Sequence, residues 1–389
     1  MHAPHAAIVY PQVTSTRQFV TQVTLHLGEN LLPVAEVSVA FSAPLRADIQ
    51  GWLLATGRLI PEKAPVHLVY GSGPHQKADF FGYVQSYSIV TSGDDTRFTR
   101  NSEVTVVYTL VGAADPLQTQ ANRTWLASSP SYIARTICRR HLLAPMIQRD
   151  LGRLGARAQN ARSDWGFLRD LVDECGLRVI VDNTDLYVTD PLVSLREGQE
   201  VPAFFLTKLP GIRDTVFDFR VTSGELDPTS GRRTRSEAHG YNRSTRHLFR
   251  VVDKATAGAG TTTFATQLPS ASQTIATRRA VSQAANAQLW VQATARVRGD
   301  ARVRPGTEVW MQGAGMGPRN VGQWMVMTSV HHLQLHHNDA RKSVYELHLG
   351  LGRTRPEGLD AQPRSQVLPP PVRTVLAQGR WRAEHTGAA

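Results

Sequence analysis

Apolar and polar residues alternate along FVTQVTLHL and VAEVSVAF, the period of a half-buried strand. KAPVHLVYG, DFFGYVQSYSI and SEVTVVYTLVG continue the pattern, separated by Gly, Ser and Asp turns. PLRADIQGWLLATG lies among them and is ambiguous, with a short helical turn as one reading. Residues 1–112 therefore read as an all-β unit.

The period changes after residue 112. In SSPSYIARTICRRHLLAP, Ile133, Ile137, Cys138 and His141 recur at helical spacing. Ser129 is the candidate N-cap, and Pro130 takes the first helical position, where a missing N–H costs nothing. Pro145 is expected to stop this helix. SDWGFLRDLVDECGLRVIVDNTDLYVTD, residues 163–190, predicts a second helix, a stop and a hairpin. Ser163 can cap the helix, and Trp165, Leu168, Leu171, Val172 and Cys175 form one apolar stripe. Gly176 sits where a left-handed C-terminal residue belongs. LRVIV and LYVT flank the polar turn Asp182-Asn183-Thr184-Asp185. Residues 113–199 thus predict a small α+β lobe in which no residue has the look of a catalyst.

Strand character returns at residue 200 with FFLTK, TVFDFRVTS and HLFRVVD, and again from 290 to 352. ATAGAGTTTFATQ reads as a Gly/Thr loop. The Ala-rich SQTIATRRAVSQAANAQLW predicts a helix near 271–289. Residues 200–353 are read as a second β domain, and the Pro- and Arg-rich residues 354–389 as an extended tail with at most a short helix. The fold class is mainly β with an α+β insert.

The two β regions share a pattern. PVHLVYG, FFGYVQSYSI and SEVTVVYTLVG match GTEVWMQG, NVGQWMVMTSVHHLQL and KSVYELHLGLG, three strands each with glycine punctuation. Gly82 precedes Gly112 by 30 residues, and Gly322 precedes Gly352 by the same interval. This points to two similar β units separated by the lobe. Such a chain can present two like surfaces to a partner of higher symmetry than its own oligomer.

Charge adds one candidate site. The formal net charge is +11, which fits a polyanionic partner. Arginine makes up most of it, spread along the chain. The densest segment is RRTRSEAHGYNRSTRHLFR, with Arg232, Arg233, Arg235, Arg243, Arg246 and Arg250 around His239, Tyr241 and Phe249. It is read either as a solvated loop hairpin or as a contact for DNA or an acidic neighbouring protein. Nothing in it would read base sequence.

Catalytic chemistry finds little support. HHLQLHH (331–337) puts two imidazoles on each face of a strand, short of the third ligand that a catalytic zinc needs, and is read as solvated histidines. Asp164, Asp170, Asp173 and Glu174 alternate with Arg169 and Arg178 and are read as a solvated face. There is no GxSxG, and no helix pattern follows the glycines of GAGMGP. Cys138 and Cys175 are expected as buried free thiols. No metal and no cofactor is expected. No apolar run spans a bilayer, and MHAPHAAIVYPQ lacks the pattern of a signal peptide, so synthesis in the cytoplasm is expected.

SDWGFLRDLVDECGLRVIV with its short turn and LYV resembles a motif of phage baseplate hub proteins. The motif also occurs in the hub portion of the type VI secretion spike protein and in phage late-control tail proteins. There a polar residue, an acid and an aromatic open a helix that a hairpin follows; here Trp165, Phe167, Leu168, Leu171 and Gly176 carry it. YTLVGAADPLQTQANRTW resembles the family's exit from its first barrel, and PSYIARTICRRHLL its preceding helix. ARVRGDARVRPGTEVWMQGAG and VGQWMVMTSVHHL resemble the end of its second barrel, with Pro305, Gly306, Gly322 and His331 or His332 in the expected places. Gly166, early in the helix, departs from the pattern.

The resemblance implies two tail-tube-like β-barrel domains flanking the lobe, and a homotrimer. It implies a virion protein of the tail baseplate or tail tip that adapts a hexameric tail tube to a three-fold spike. The implied partners are the tail tube protein, a tape-measure protein and a spike, with DNA passing through the lumen and no membrane insertion. No oligonucleotide-binding-like domain or β-helical spike follows the hub region, so the spike is expected to be a separate protein. No enzymatic activity is expected. Two alternatives stay open: a tail-associated cell-wall-degrading hydrolase or peptidase, and a basic nucleic-acid-binding protein acting outside any particle.

Overall fold

The computed structural model describes residues 3–10, 19–44, 48–73, 76–91, 101–126, 128–148, 156–191, 193–195, 200–207, 214–223, 235–242, 247–252, 263–270, 291–317, 320–336, 339, 341–353 and 373–384. The first unit contains β1 (Pro4–Val9), β2 (Phe19–Gly28), β3 (Val34–Pro44), α1 (Ile49–Ala55), β4 (Pro65–Ser72), β5 (Lys77–Thr91) and β6 (Asn101–Gly112). The lobe contains α2 (Pro130–Arg140), β7 (Ala144–Ile147), α3 (Asp164–Glu174), β8 (Arg178–Asp182) and β9 (Asp185–Thr189). Next come β10 (Ala203–Phe205), β11 (Val216–Ser223), β12 (Arg235–Asn242), β13 (His247–Val252) and β14 (Thr263–Ser270). β15 (Val291–Arg298), β16 (Glu308–Gln312), β17 (Gly322–Gln334) and β18 (Val344–Arg353) complete the second unit. A hairpin of β19 (Arg373–Ala377) and β20 (Arg380–Glu384) follows.

One sheet runs through both β units in the order β1-β4-β5-β6-β3-β2-β17-β18-β15-β11, with β16 beside β17 and β10 beside β16. Each half has the same strand order. Taken in chain order, the strands of the first half lie 1-4-5-6-3-2, and β10, β11, β15, β16, β17 and β18 lie in that order too. The registers also repeat. Val66 faces Gly82 as Val309 faces Trp324. Tyr108 faces Tyr87 and Val37 as Leu349 faces Ser329 and Ala295. Both β-bulges recur at equivalent places: Val84/Ser86 and Val326/Thr328, then Val20/Gln22 and Val216/Asp218. Bulges re-aim strands in a position-specific way, so two matching bulges in matching registers mark a genuine repeat. One pairing differs: β1 is antiparallel to β4, whereas β10 is parallel to β16.

The glycine spacing does not carry this repeat. Gly82 faces Gly112, but Gly352 faces Met325 and Gly322 faces Met311. By register, Gly82 and Gly112 correspond to Trp324 and Arg353. What repeats is the inward-facing set, where Val66, Val84 and Leu110 correspond to Val309, Val326 and Leu351, all nearly inaccessible.

Neither half is closed into a barrel by a strand ladder among the described residues. β1 returns to within 8 Å of β2 without pairing to it. The outer edge of β2 is taken by β17, and this pairing joins the two units. In the second unit, Thr215, just before β11, touches β10: its N–H donates to the Phe205 carbonyl (2.8 Å), and its hydroxyl accepts from the Phe205 N–H (2.7 Å).

Three main apolar cores follow. Val23, Val37, Leu53, Leu68, Val106 and Leu110 belong to the first, and Ile133, Ile137, Leu168, Val179 and Val188 to that of the lobe. Val297, Val309, Met311, Trp324, Leu347 and Leu351 belong to the third. Fully burying side chains of this size stabilises by about 1.5–3 kcal/mol each, which is what holds short strands in register.

Several expectations change. PLRADIQGWLLATG contains a true helix, α1, capped by the Asp48 side chain, and β1 is a strand where none was expected. α2 ends before Pro145: its C-cap is His141, Leu142 turns left-handed at φ 60°, and Pro145 lies inside β7, parallel to β9. Within the expected tail, residues 373–384 form the β19–β20 hairpin. The helix expected near 271–289 and residues 354–372 lie outside the described residues.

Candidate assembly interface

The motif segment forms the lobe's centre. Ser163 Oγ accepts from the Gly166 N–H at 3.0 Å and starts α3. Gly176, at φ 70°, follows its C-cap. Trp165, Phe167, Leu168 and Leu171 are all buried there. Ser129 likewise caps α2, accepting from the Tyr132 N–H at 3.1 Å. Cys138 and Cys175 are buried free thiols, and burial pushes the Cys138 thiol up to about 12.

The carboxylate at the start of α3 is not solvated. Asp164 is 2% exposed. Its Oδ2 lies 2.7 Å from His141 Nε2 and 3.4 Å from Arg140 Nη1, and its Oδ1 accepts from Gln159 Nε2 at 2.7 Å. The acid therefore ties α2, α3 and the preceding loop together. Asp170 and Glu174 do face outward, paired with Arg162 (2.6 Å) and Arg157 (2.5 Å).

Two buried arginines fasten the lobe to both β units. Arg178, which the helix-face reading had placed in solvent, is 2% exposed on β8. It pairs with Glu29 of the first unit and donates to the Val193 carbonyl at 2.9 Å. Burial pushes the Glu29 carboxyl up, and the Arg178 charge opposes that shift. Arg304, from the second unit, pairs with Asp182 of the lobe and donates to the Asp79 carbonyl of the first unit at 3.0 Å. Turn tips interlock beside them. Asn30 Oδ1 accepts from the Val179 N–H, and Asn183 Oδ1 from the Phe81 N–H, each at 3.1 Å.

Pro305 and Gly306 form the turn after Arg304, and Gly306 takes φ 78°. A Cβ at Gly306 would lie 2.7 Å from Leu195 Cδ1 and 2.8 Å from Ile180 Cδ1. Gly322 opens β17, opposite Met311. His331 is fully buried rather than solvated, its Nδ1 2.7 Å from the Tyr345 hydroxyl. Burial, reinforced by the Arg304 charge, brings its imidazole down to about 3. His332 Nδ1 lies 3.1 Å from Thr24 Oγ1 across the β2–β17 joint. Among the described residues no group of three or more His, Cys, Asp and Glu could hold a metal ion.

The β19–β20 hairpin clasps the first unit and the lobe. Trp381 Nε1 donates to the Gly82 carbonyl at 2.8 Å, and the Ala383 N–H to the Leu142 carbonyl at 3.0 Å. Arg235 lies on β12 opposite Thr263 of β14, and Arg250 on β13 opposite His239. Arg232, Arg233, Arg243 and Arg246 lie outside the described residues.

Two long strands of the main sheet carry edges without a ladder partner among the described residues. Beyond Val84, β5 pairs only with β6, and β11 pairs only with β15. Val90 on the first edge is 52% exposed and Phe217 on the second is 47% exposed. No described helix is long and apolar enough to cross a membrane.

The architecture has solved counterparts. A tail protein from Neisseria meningitidis MC58 superposes with a TM-score of 0.60 at 11% identity, over 92% of this chain and 100% of that one. The 43 kDa tail protein of prophage MuSo2 from Shewanella oneidensis gives 0.58 at 13% identity, over 90% and 98%. The fold is that of phage tail proteins and type VI secretion spike-type proteins. For the latter, an E. coli component of the type VI secretion system, itself similar in structure to the T4 bacteriophage tail proteins gp27 and gp5, gives 0.54 at 12% identity, over 94% and 81%. No family model and no curated protein matches the sequence.

Proposed function

We propose that this chain is a structural hub of the tail baseplate or tail tip in a phage or related injection particle. Three copies form a ring that adapts a hexameric tail tube to a three-fold spike. The observation that carries this reading is the repeated unit, with one strand order, one register and two shared bulges in each half. Two like units per chain give a trimer six quasi-equivalent positions, enough to meet a six-fold tube while keeping three-fold symmetry for the spike.

The buried arginines support a rigid adaptor, because their partners come from all three parts of the chain. The tail proteins that share the fold point the same way. The role is structural rather than catalytic: the arginines buried at the junction, Arg178 and Arg304, are engaged with the carboxylates of Glu29 and Asp182 and with backbone carbonyls. The partners are the tail tube protein, a spike and a tape-measure protein, with the lumen open to DNA. The segment holding Arg232, Arg233, Arg235, Arg243, Arg246 and Arg250 supplies a contact for that DNA or for an acidic neighbour. Mass photometry of the full chain, run beside a cell-wall turbidity assay, tests this. Trimers without clearing are expected. Monomers at every concentration, or clearing abolished by one acid or His substitution, would overturn it.

A further inference from the structure

The two helices of the lobe treat their outward charges differently. On α3, Asp170 and Glu174 are matched by Arg162 and Arg157. On α2, Tyr132, Arg135 and Arg139 are exposed, and their spacing of three and four residues puts them on one face. Arg140, beside them, is paired with Asp164. Arg135 and Arg139 have no carboxylate within ion-pair reach among the described residues. The chain supplies no local counter-charge either. Residues 116–149 contain no Asp or Glu, but hold Arg123, Arg135, Arg139, Arg140 and Arg149. Apolar side chains frame the two unmatched arginines. Leu126, before the N-cap, is 74% exposed, Tyr132 57%, and Leu142, just past the C-cap, 40%. We propose that this face of α2 docks an acidic segment of another protein of the particle. That the partner belongs to the same particle rests on the hub reading above.

Side chains four residues apart on a helix stand about 6 Å apart at their Cβ atoms, and two carboxylates three or four residues apart on a partner helix match that interval. Each guanidinium can donate to its carboxylate through two parallel hydrogen bonds. Tyr132, one turn before Arg135, and the leucines at the helix ends offer apolar surface to the residues flanking those carboxylates. A phosphate backbone would satisfy the arginines but leave the ring and both leucines in water, whereas a protein segment covers all of them. Arg and Tyr are also enriched in the buried centre of protein–protein interfaces. The charge asymmetry fixes the sign of the partner, because a neutral or basic segment would bury two cations without a counter-charge.

Charge reversal in the full chain, expressed within its own particle, tests this. Arg135→Glu with Arg139→Glu should leave the melting temperature within about 2 °C of the parent and the oligomeric state by mass photometry unchanged. It should nevertheless lower the yield of complete particles by about tenfold or more. Arg135→Lys with Arg139→Lys should keep most of the yield, since the charge remains. Second-site suppressors of the reversal should change an Asp or Glu of another particle protein to Lys or Arg. If the reversal lowers the melting temperature, Arg135→Gln with Arg139→Gln makes the same test without added charge. Reversed chains that assemble into particles and deliver DNA at the parent level overturn the docking site. So do particles that assemble normally but deliver DNA poorly, which would make the contact one with DNA. A parent chain absent from purified particles removes the hub reading, and the partner with it.

Discussion

Lys63 and Gly306 stand at one position of a repeated turn, and both take a left-handed backbone, φ 64° and φ 78°. The Lys63 N–H donates to the Val84 carbonyl and the Gly306 N–H to the Val326 carbonyl, at 2.7 and 2.8 Å. Their surroundings differ, because only Gly306 is pressed against Ile180 and Leu195. Lys63→Gly should therefore change stability by less than about 1 kcal/mol, relief of the left-handed strain being offset by a freer unfolded chain. Gly306→Ala combines strain with a clash and should cost about 2 kcal/mol or more. Denaturant midpoints of the two variants check the contrast.

The Arg304–Asp182 pair predicts a non-additive cycle. Asp182→Ala leaves the guanidinium buried without its carboxylate and should cost about 3 kcal/mol. Adding Arg304→Met to that variant should restore much of the loss, since an apolar chain needs no counter-charge. Chemical denaturation of the single and double variants measures the coupling.

Leu168 is fully buried on α3. Leu168→Ala should lower stability by about 2–5 kcal/mol. An unchanged melting temperature would contradict the packing described for the lobe.

His331 predicts an acid-sensitive joint. Its folded-state pKa, about 3, lies below the ordinary 6.5, so the unfolded chain binds the proton more readily. The stability it contributes is fully present above about pH 6.5 and falls as the pH drops toward 3, by at most about 1.4 kcal/mol per pH unit. His331→Gln should flatten that slope. Denaturation midpoints between pH 4 and 7 read the difference directly.

The lobe was legible in the sequence because its signals are local. Ser129, Ser163 and Gly176 mark helix ends by chemistry that needs only neighbouring backbone. The repeat was legible as alternating strands, but its register was not. Sequence placed Gly82 beside Gly322, whereas the ladders align it with Trp324, because register is fixed by cross-strand partners far away in the chain. Asp164, Arg178 and His331 were misread for a related reason. A charge pattern reports where a helix or strand could face water, not which distant partner covers it. Arg178 did leave a trace, as a lone cation at the head of the apolar run RVIV. The β19–β20 hairpin was hidden by its Pro- and Arg-rich flanks, although Gln378 and Gly379 form its left-handed turn at φ 51° and 72°.

The central claim is that two repeated units per chain let three chains meet a six-fold tube. Electron cryomicroscopy of the full chain, co-expressed with the tail tube protein of its own particle, tests it most directly. A ring of three chains showing six β units, seated on the end of the tube, is the predicted result. Single chains that never engage the tube, or a ring with another number of copies, would contradict the account.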